Sequence, residues 1–350
     1  METYYDKLDE IKLIVEKYFT VEDVFYDAGI LTFIVSEREI KENFRRLYRD
    51  LRQHGFLPNA RWREGRVAIR IFRYQEPITP FLKSKRLPLY LFTATLGIVA
   101  VDGFLRSWRM GLVDRILEAL LYTASIMLII GLHEFGHIIS AKKSGVEASP
   151  PYFIPGIPLY LPTFGAVIFQ KEPIINRDDM FDMGFSGPLV SFLVSIAVTI
   201  LAFHRAVWIP EAELAKMEVV TLPSPLLLGL MYSLFQRPGI VPLFTSVGFA
   251  AWLGFLVTAL NLFPIWQLDG GKIFRSILTT RQYRIVSYVS LAILAIAGYF
   301  LFALLLLLMM SGARDIPPLD EVSPLSRRRK MAFAAVFSVL ILSFTPWFAF

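Results

Sequence analysis

The sequence predicts a polytopic α-helical membrane protein with about six transmembrane helices, a small N-terminal soluble α+β domain and a re-entrant β-hairpin. Three observations carry this. The 350 residues are 55% hydrophobic, with a mean hydropathy of +0.52, a balance foreign to soluble enzymes. Several apolar runs reach the roughly 20 residues that a bilayer crossing needs. Residues 1–76, by contrast, are charged and break into short periodic segments. The net charge of +6 is modest, and Lys and Arg cluster beside the apolar runs. That is the pattern of anchors at a lipid bilayer, with no nucleic acid as partner. Cys is absent, which excludes disulfides and Cys-based zinc sites.

The first residues, "METYYDKLDEIKLIVEKYF", have neither the apolar core of a signal peptide nor the Arg/Ser bias of a transit peptide. The N-terminal domain is therefore expected to stay cytosolic, with the first apolar span doing the targeting. Lys7–Lys17 has helical spacing, and "FTVEDVFY" and "GILTFIVS" read as strands around "DAG". "SEREIKENFRRLYRDLRQHG" opens on a Ser cap and stops at Gly55. "LPNARWRE" and "GRVAIRIFRY" give a second hairpin about Glu64-Gly65. The order αββαββ predicts a two-layer domain over 1–76. His54, at a helix end, reads as a solvated cap residue.

Residues 77–86 read as a linker to a membrane domain over 87–350. Its spans are expected at Leu87–Leu105, Ile116–Ser140, Phe181–Phe203, Val241–Ile265, Val286–Met310 and Met331–Phe350. Pro223–Phe235 is short and Pro-led, an interfacial or re-entrant piece. Lys83, Lys85 and Arg86, then Lys142 and Lys143, then Lys272, Arg275, Arg281 and Arg284 all fall on one side, which the positive-inside rule makes cytosolic. Two basic loops disagree: Arg106, Arg109 and Arg115, and "RRRK" at 327–330. The expected location is the cell membrane, multi-pass.

Within the second span stands His133-Glu134-Phe135-Gly136-His137, the pattern H-E-x-x-H. Residues four apart share a helix face, so both imidazoles can close on one ion while Glu134 sits beside them as a proton acceptor. This is the metalloprotease arrangement. The bland alternative is two histidines hydrogen-bonded inside a bundle. The cost of placing three ionisable side chains in a lipid-length helix counts against it. A catalytic zinc usually has three protein ligands. "NLFPIWQLDGGK", after span four, offers Asp269 in a Gly-bounded break, although D-G is also a common turn signal. Spans two and four run parallel, so their C-terminal ends reach the same side. With 1.5 Å rise per residue, His137 lies about 8 Å and His133 about 14 Å inside Lys142. Water must reach that depth, which implies a cavity open to the cytosol.

The H-E-x-x-H helix, the following "GFSGP" (Gly184–Pro188) and "NLFPIWQLDGG" (Asn261–Gly271), in that order, resemble the site-2 protease family of intramembrane zinc metalloproteases. The resemblance covers about residues 87–311. "PPYFIPGIPLYLPTFGAVIFQKEP" looks like the EGY branch of that family, of which this chain would be a prokaryotic relative. The resemblance implies one catalytic Zn2+ held by His133, His137 and Asp269 in a metal-bearing core of about 116–275, with Glu134 as general base and acid. It implies that Asn261 holds the substrate or stabilises the oxyanion. An interhelical hydrogen bond is the alternative for that amide. Gly184, Gly187 and Pro188 are expected to permit close helix approach beside the metal.

Pro150–Pro173 is too Pro-rich for a helix, yet "YLPTFGAVIFQ" can form a strand. Irregular backbone at membrane depth must be buried or face water. A re-entrant hairpin bending at Phe164-Gly165 is expected, its edge at Phe164, Gly165, Ala166 and Val167 accepting an unwound substrate strand. A surface loop is the alternative. The expected reaction is hydrolysis of peptide bonds of transmembrane protein substrates near the cytosolic side. The competing reading is a non-proteolytic membrane zinc-binding protein or metal transporter on the same ligands.

Overall fold

The computed structural model describes residues 8–74, 84–214, 216, 217, 219, 221–312 and 316–346. Most of the expected linker, Lys83 and the last four residues of Met331–Phe350 lie outside the described residues.

The N-terminal elements are α1 (Leu8–Glu16), β1 (Val21–Asp27), β2 (Ile30–Val35), α2 (Lys41–Gln53), β3 (Phe56–Arg63) and β4 (Arg66–Arg73). The strands form one antiparallel sheet in the order β1-β2-β4-β3. The period of two sets the core face of this sheet. Leu31, Phe33 and Val35 on β2 and Val67, Ile69 and Ile71 on β4 share that face, while Thr32, Ile34 and Ala68 between them are buried as well. Phe44, Leu47, Tyr48 and Leu51, at helical spacing on α2, close over the core face with Ile11 and Val15 of α1. The Ser cap expected for α2 is not used: the helix starts at Lys41 with Ile40 as N-cap and no side-chain cap bond. His54 pairs with Glu10 at 2.6 Å.

Among the described residues, four helical stretches are long and apolar enough to cross a membrane, by length and composition. They are α3 (Leu87–Arg106), α4 (Leu112–Ser144), α5 (Arg177–Arg205) and the stretch Thr280–Met310. Helix α4 ends where Gly145 adopts φ 76°, the left-handed C-cap position that suits glycine. Between α4 and α5 lies a hairpin, β5 (Tyr152–Ile157) and β6 (Leu161–Val167). Its reversal falls at residues 158–160, not at Phe164-Gly165. Those two instead form a bulge inside β6, where two residues face one of β5 and Gly165 takes φ 90°. The hairpin lies along α3. Phe153 meets Phe92 at one end, with ring centroids 5.2 Å apart, and Leu159 meets Asp102 at the other.

Beyond α5 come β7 (Val207–Pro210), α6 (Glu211–Leu214), α7 (Leu226–Phe235) and β8 (Ile240–Leu243), with β7 and β8 paired. The span expected over Val241–Ile265 is shorter than predicted. Its start is spent in β8, and the helix α8 (Ser246–Leu262) has 17 residues. Glu118 of α4 accepts from Arg205 at the end of α5 and from the Val247 N–H at the start of α8. Helices α4 and α8 therefore run in the same direction, with α5 antiparallel to both.

The expected crossing at Val286–Met310 falls within the stretch Thr280–Met310 but is not one straight helix. It comprises α10 (Thr280–Leu294), a π-turn, and α11 (Phe300–Gly312), and Gly298 inside the π-turn has φ 94°. Arg275, in the short helix α9 (Asp269–Arg275), binds Thr280 Oγ1 at 3.1 Å and Glu321 Oε1 at 2.7 Å. One guanidinium thus holds the start of the stretch and Glu321, nine residues past the end of α11, which a straight helix would not allow, and the helix axis turns at Gly298. Leu291 and Leu294 of α10 pack with Ala303 and Leu306 of α11. This explains the discordant "RRRK". It begins α12 (Arg327–Ser343), and Arg329 pairs with Asp178 and Asp182 at the start of α5. The basic cluster therefore lies at the same end as the N-terminal sheet.

That sheet is docked by main chain and charge together. Ala60 on the β3 edge exchanges hydrogen bonds with Leu319 and Glu321, while Leu319 and Asp320 bond back to Ile174 and Ile175. Around this strip Lys41 pairs with Asp178 at 3.2 Å, Arg45 with Asp179 at 2.8 Å and Arg52 with Glu172 at 2.7 Å. The Tyr48 hydroxyl also donates to Glu172, and burial with that carboxylate pushes its phenol well above the ordinary value.

Candidate metal centre

Helix α4 delivers His133, Glu134 and His137 on adjacent positions of one face, all buried. Asp269 arrives as the first residue of α9 after a tight return of the chain from α8. Gly270 and Gly271 make that return possible: a Cβ at Gly270 would strike the Leu262 and Phe263 carbonyls, and one at Gly271 the Ile265 carbonyl. Asp269 Oδ2 stands 3.2 Å from His133 Nε2 and 3.0 Å from His137 Nε2, and the two Nε2 atoms are 3.1 Å apart. The sequence-predicted ligands therefore meet at one point.

The other ring nitrogens decide what these three atoms are. His137 Nδ1 lies 2.7 Å from the Met183 carbonyl, which can only accept, so Nδ1 carries the proton. His133 Nδ1 lies 3.2 Å from Ser191 Oγ. The Thr258 hydroxyl donates to the Gly254 carbonyl and Ser191 has Pro188 O and Thr258 Oγ1 to donate to, leaving Ser191 to accept from His133. Both Nε2 atoms then present lone pairs to a carboxylate oxygen. Three acceptors facing one another are a donor set for a cation. Ligand atoms of a tetrahedral zinc ion, at about 2.0–2.1 Å from it, stand roughly 3.3 Å from one another. The observed separations fit that ion closely.

The helix approach is set by small residues. A Cβ on Gly187 would collide with the His137 ring, one on Gly136 would come 2.8 Å from Ser186 O, and one on Gly184 would come 2.8 Å from Asp269 O. Lys272 Nζ reaches Asp269 Oδ1 at 3.6 Å, leaving Oδ2 to the imidazoles. Asn261 is half-buried near the end of α8, and the described hydrogen bonds do not link it to the triad. Phe164 and Val167 are exposed on β6, and Gly165 and Ala166 half-buried. Ala166 pairs with Phe153, whose ring tip lies 4.0 Å from the position of a Cβ on Gly131, two residues before His133. A cavity of ≈ 440 Å³ opens between the N-terminal sheet and α9, lined in part by Tyr74, Glu172, Trp266, Lys272 and Arg275.

Sequence reasoning missed the orienting groups Ser191, Thr258 and Met183 O. For the first there was a signal: Ser191, Ser195 and Thr199 recur every four residues in an apolar helix, and all are fully buried. A main-chain carbonyl leaves no such trace.

The description "Peptidase family M50" is that of a family model matching residues 121–307 of this chain. The chain is 28% identical over 202 residues to the probable zinc metalloprotease EGY2, chloroplastic, of Oryza sativa subsp. indica, covering 55% of this chain and 36% of that protein. It is 26% identical over 234 residues to the probable zinc metalloprotease EGY1, chloroplastic, of Arabidopsis thaliana, covering 63% and 42% respectively. To the probable zinc metalloprotease EGY3, chloroplastic, of Oryza sativa subsp. indica it is 26% identical over 275 residues, or 72% and 46%. The chain thus spans less than half the length of these curated relatives. No solved structure matches it.

Proposed function

The chain belongs to peptidase family M50 and is a multi-pass membrane protein, and from that premise we propose that it is an intramembrane zinc metalloprotease cleaving transmembrane protein substrates. The observation that carries this is the meeting of His133 Nε2, His137 Nε2 and Asp269 Oδ2 within 3.2 Å, beside Glu134. A zinc ion on these three donors would supply Lewis-acid polarisation of the scissile carbonyl and acidify the attacking water. The remaining work falls to side chains. Glu134, next to His133 and outside the donor set, takes the proton of the water and passes it to the leaving amine nitrogen. Met183 O and Ser191 hold the two rings in the tautomer that leaves Nε2 free. Asn261 offers an amide donor to the oxygen on which charge develops.

A peptide bond in a helix has its carbonyl and N–H engaged, so the substrate must unwind before water can attack. The open edge of β6 at Phe164–Val167 is suited to pair with such an unwound strand, and the Ala166–Phe153–Gly131 contact supports its lying level with the triad. The placement of the hairpin along α3 supports a re-entrant reading. The basic residues around α4, α9, α10 and α12 favour a cytosolic position for the metal end and the N-terminal domain over 1–76, in the cell membrane. The ≈ 440 Å³ cavity beside α9 would then admit water from that side. Hydrolysis is favoured over transport because the acids at the other end of α4, Glu118 and Asp102, are already satisfied by Arg205, Arg106, Tyr122 and main-chain N–H groups.

The test uses the full chain in proteoliposomes with a single-span Leu/Ala peptide carrying a central Asn-Gly pair that eases unwinding. Glu134→Gln is expected to bind zinc as wild type does and to lose cleavage by at least about 100-fold. Cleavage at the wild-type rate by that variant would refute the assignment.

A further inference from the structure

Asp102 lies fully buried near the end of α3, a costly place for a carboxylate, and three donors meet it there. Arg106, one turn along the same helix, donates from Nε at 2.7 Å. The Tyr122 hydroxyl donates from α4. The third is the main-chain N–H of Leu159, which reaches Oδ1 at 2.5 Å. Leu159 is the middle residue of the turn between β5 and β6, held at φ 66°, a left-handed conformation that a branched side chain resists. Arg106 itself stacks on Phe249 of α8, 3.8 Å from the ring centroid. One buried charge thus gathers α3, α4, α8 and the hairpin tip.

The distance from this cluster to the metal end gives it a consequence. Tyr122 and His133 are separated by eleven positions on α4, about 16 Å at the helical rise. The hairpin spans the same interval, its tip at Asp102 and its Phe153–Ala166 pair beside Gly131. Where the tip is fixed therefore decides which residues of β6 stand opposite the triad. A substrate strand paired to β6 is carried along with it. Because strand side chains alternate, such a pairing can slip only in steps of two residues, about 6.6 Å, without turning its faces over.

We propose that Asp102 is a positioning residue: by tying the hairpin tip to α3 it sets the depth of the β6 edge, and so selects which peptide bond of the substrate is cut. The proposal rests on the hydrolytic reading above and adds to it a determinant of the cleavage position remote from the metal.

The test maps products of the Asn-Gly single-span peptide by mass spectrometry, with the full chain in proteoliposomes and zinc content measured in parallel. Wild type is expected to cut one principal bond. Asp102→Asn and the milder Tyr122→Phe should keep wild-type zinc content and yield a second product set displaced by two residues, at a tenth or more of the total. Leu159→Gly, which keeps the N–H and accommodates the backbone angle, should cut the wild-type bond alone. An unchanged single bond in both Asp102→Asn and Tyr122→Phe overturns the proposal, whatever happens to the rate. So does loss of all cleavage in both, since the cluster would then serve folding only. A zinc-loaded wild type that cuts no single-span peptide would instead remove the hydrolytic reading, and the proposal with it.

Discussion

At one end of α4, Glu118 and Asp102 are buried acids whose oxygens are filled by arginines, a tyrosine and main-chain N–H groups. At the other end Asp269 Oδ2 is a buried acid facing two imidazole lone pairs, and Lys272 touches only its second oxygen, at 3.6 Å. Burial is alike at both ends, yet one is complete within the protein and the other is complementary to a cation. In a low-dielectric interior an acid must be paired, and the kind of partner it lacks tells what it is for. Burial of charge alone would have marked all three of these acids. Counting donors and acceptors leaves one.

The comparison can be broken most severely at the metal end. His133→Ala or Asp269→Asn should abolish stoichiometric zinc binding, measured by metal analysis after dialysis, and with it cleavage, by about 1000-fold or more. Retained zinc in either would mean that the donor set is not the site. Gly187→Ala comes next: its methyl group would enter the space of the His137 ring. We expect zinc affinity to fall by about 10–100-fold, by competition with a chelator, while the melting profile stays near wild type. At the complete end the signature reverses. Glu118→Ala leaves Arg205 and the Val247 N–H without their acceptor, so stability should fall by about 1–3 kcal/mol with zinc content unchanged. A loss of zinc there would join the two ends and undo the contrast.

The smallest effect belongs to another buried acid, Asp320, in the strip beneath the N-terminal sheet. Its Oδ1 accepts from the Val322 and Ser323 N–H groups, and burial pushes its carboxyl above the ordinary value. A group that binds its proton more tightly folded than unfolded makes stability fall as pH rises through the interval between the two pKa values. Asp320→Asn keeps an acceptor and removes the charge. It should melt slightly higher than wild type at neutral pH and lose that advantage below the ordinary carboxylate range. An advantage that persists in acid would show that charge is not the cause.

The parts of this molecule that the sequence made legible are those governed by local rules. Four-residue spacing put His133 and His137 on one face, and the Gly pair after Asp269 marked a break where a side chain could turn inward. The αββαββ order likewise follows from periodicities of two and 3.6 together with Glu64-Gly65 and Gly55. What escaped depends on partners distant in the chain. A lone Gly298 in an apolar run reads as a tolerated helix residue, and only the shared grip of Arg275 on Thr280 and Glu321 reveals the turn of the helix axis. The bend expected at Phe164-Gly165 became a bulge because the turn itself is held by Asp102, 57 residues away. The Met183 carbonyl that orients His137 has no side-chain signature at all.

The docking of the N-terminal sheet has a consequence for how the chain can be divided. Lys41, Arg45 and Arg52 answer Asp178, Asp179 and Glu172, and Asp179 also receives Ser144 at the foot of α4. Trimming the protein to its lipid-embedded part would strip counterions from the rim of that helix pair, four residues before the Met183 carbonyl. The small fold is thus the electrostatic counterpart of that helix pair rather than an appendage, and exchanging it would succeed only where the acidic rim and the basic helix are exchanged together.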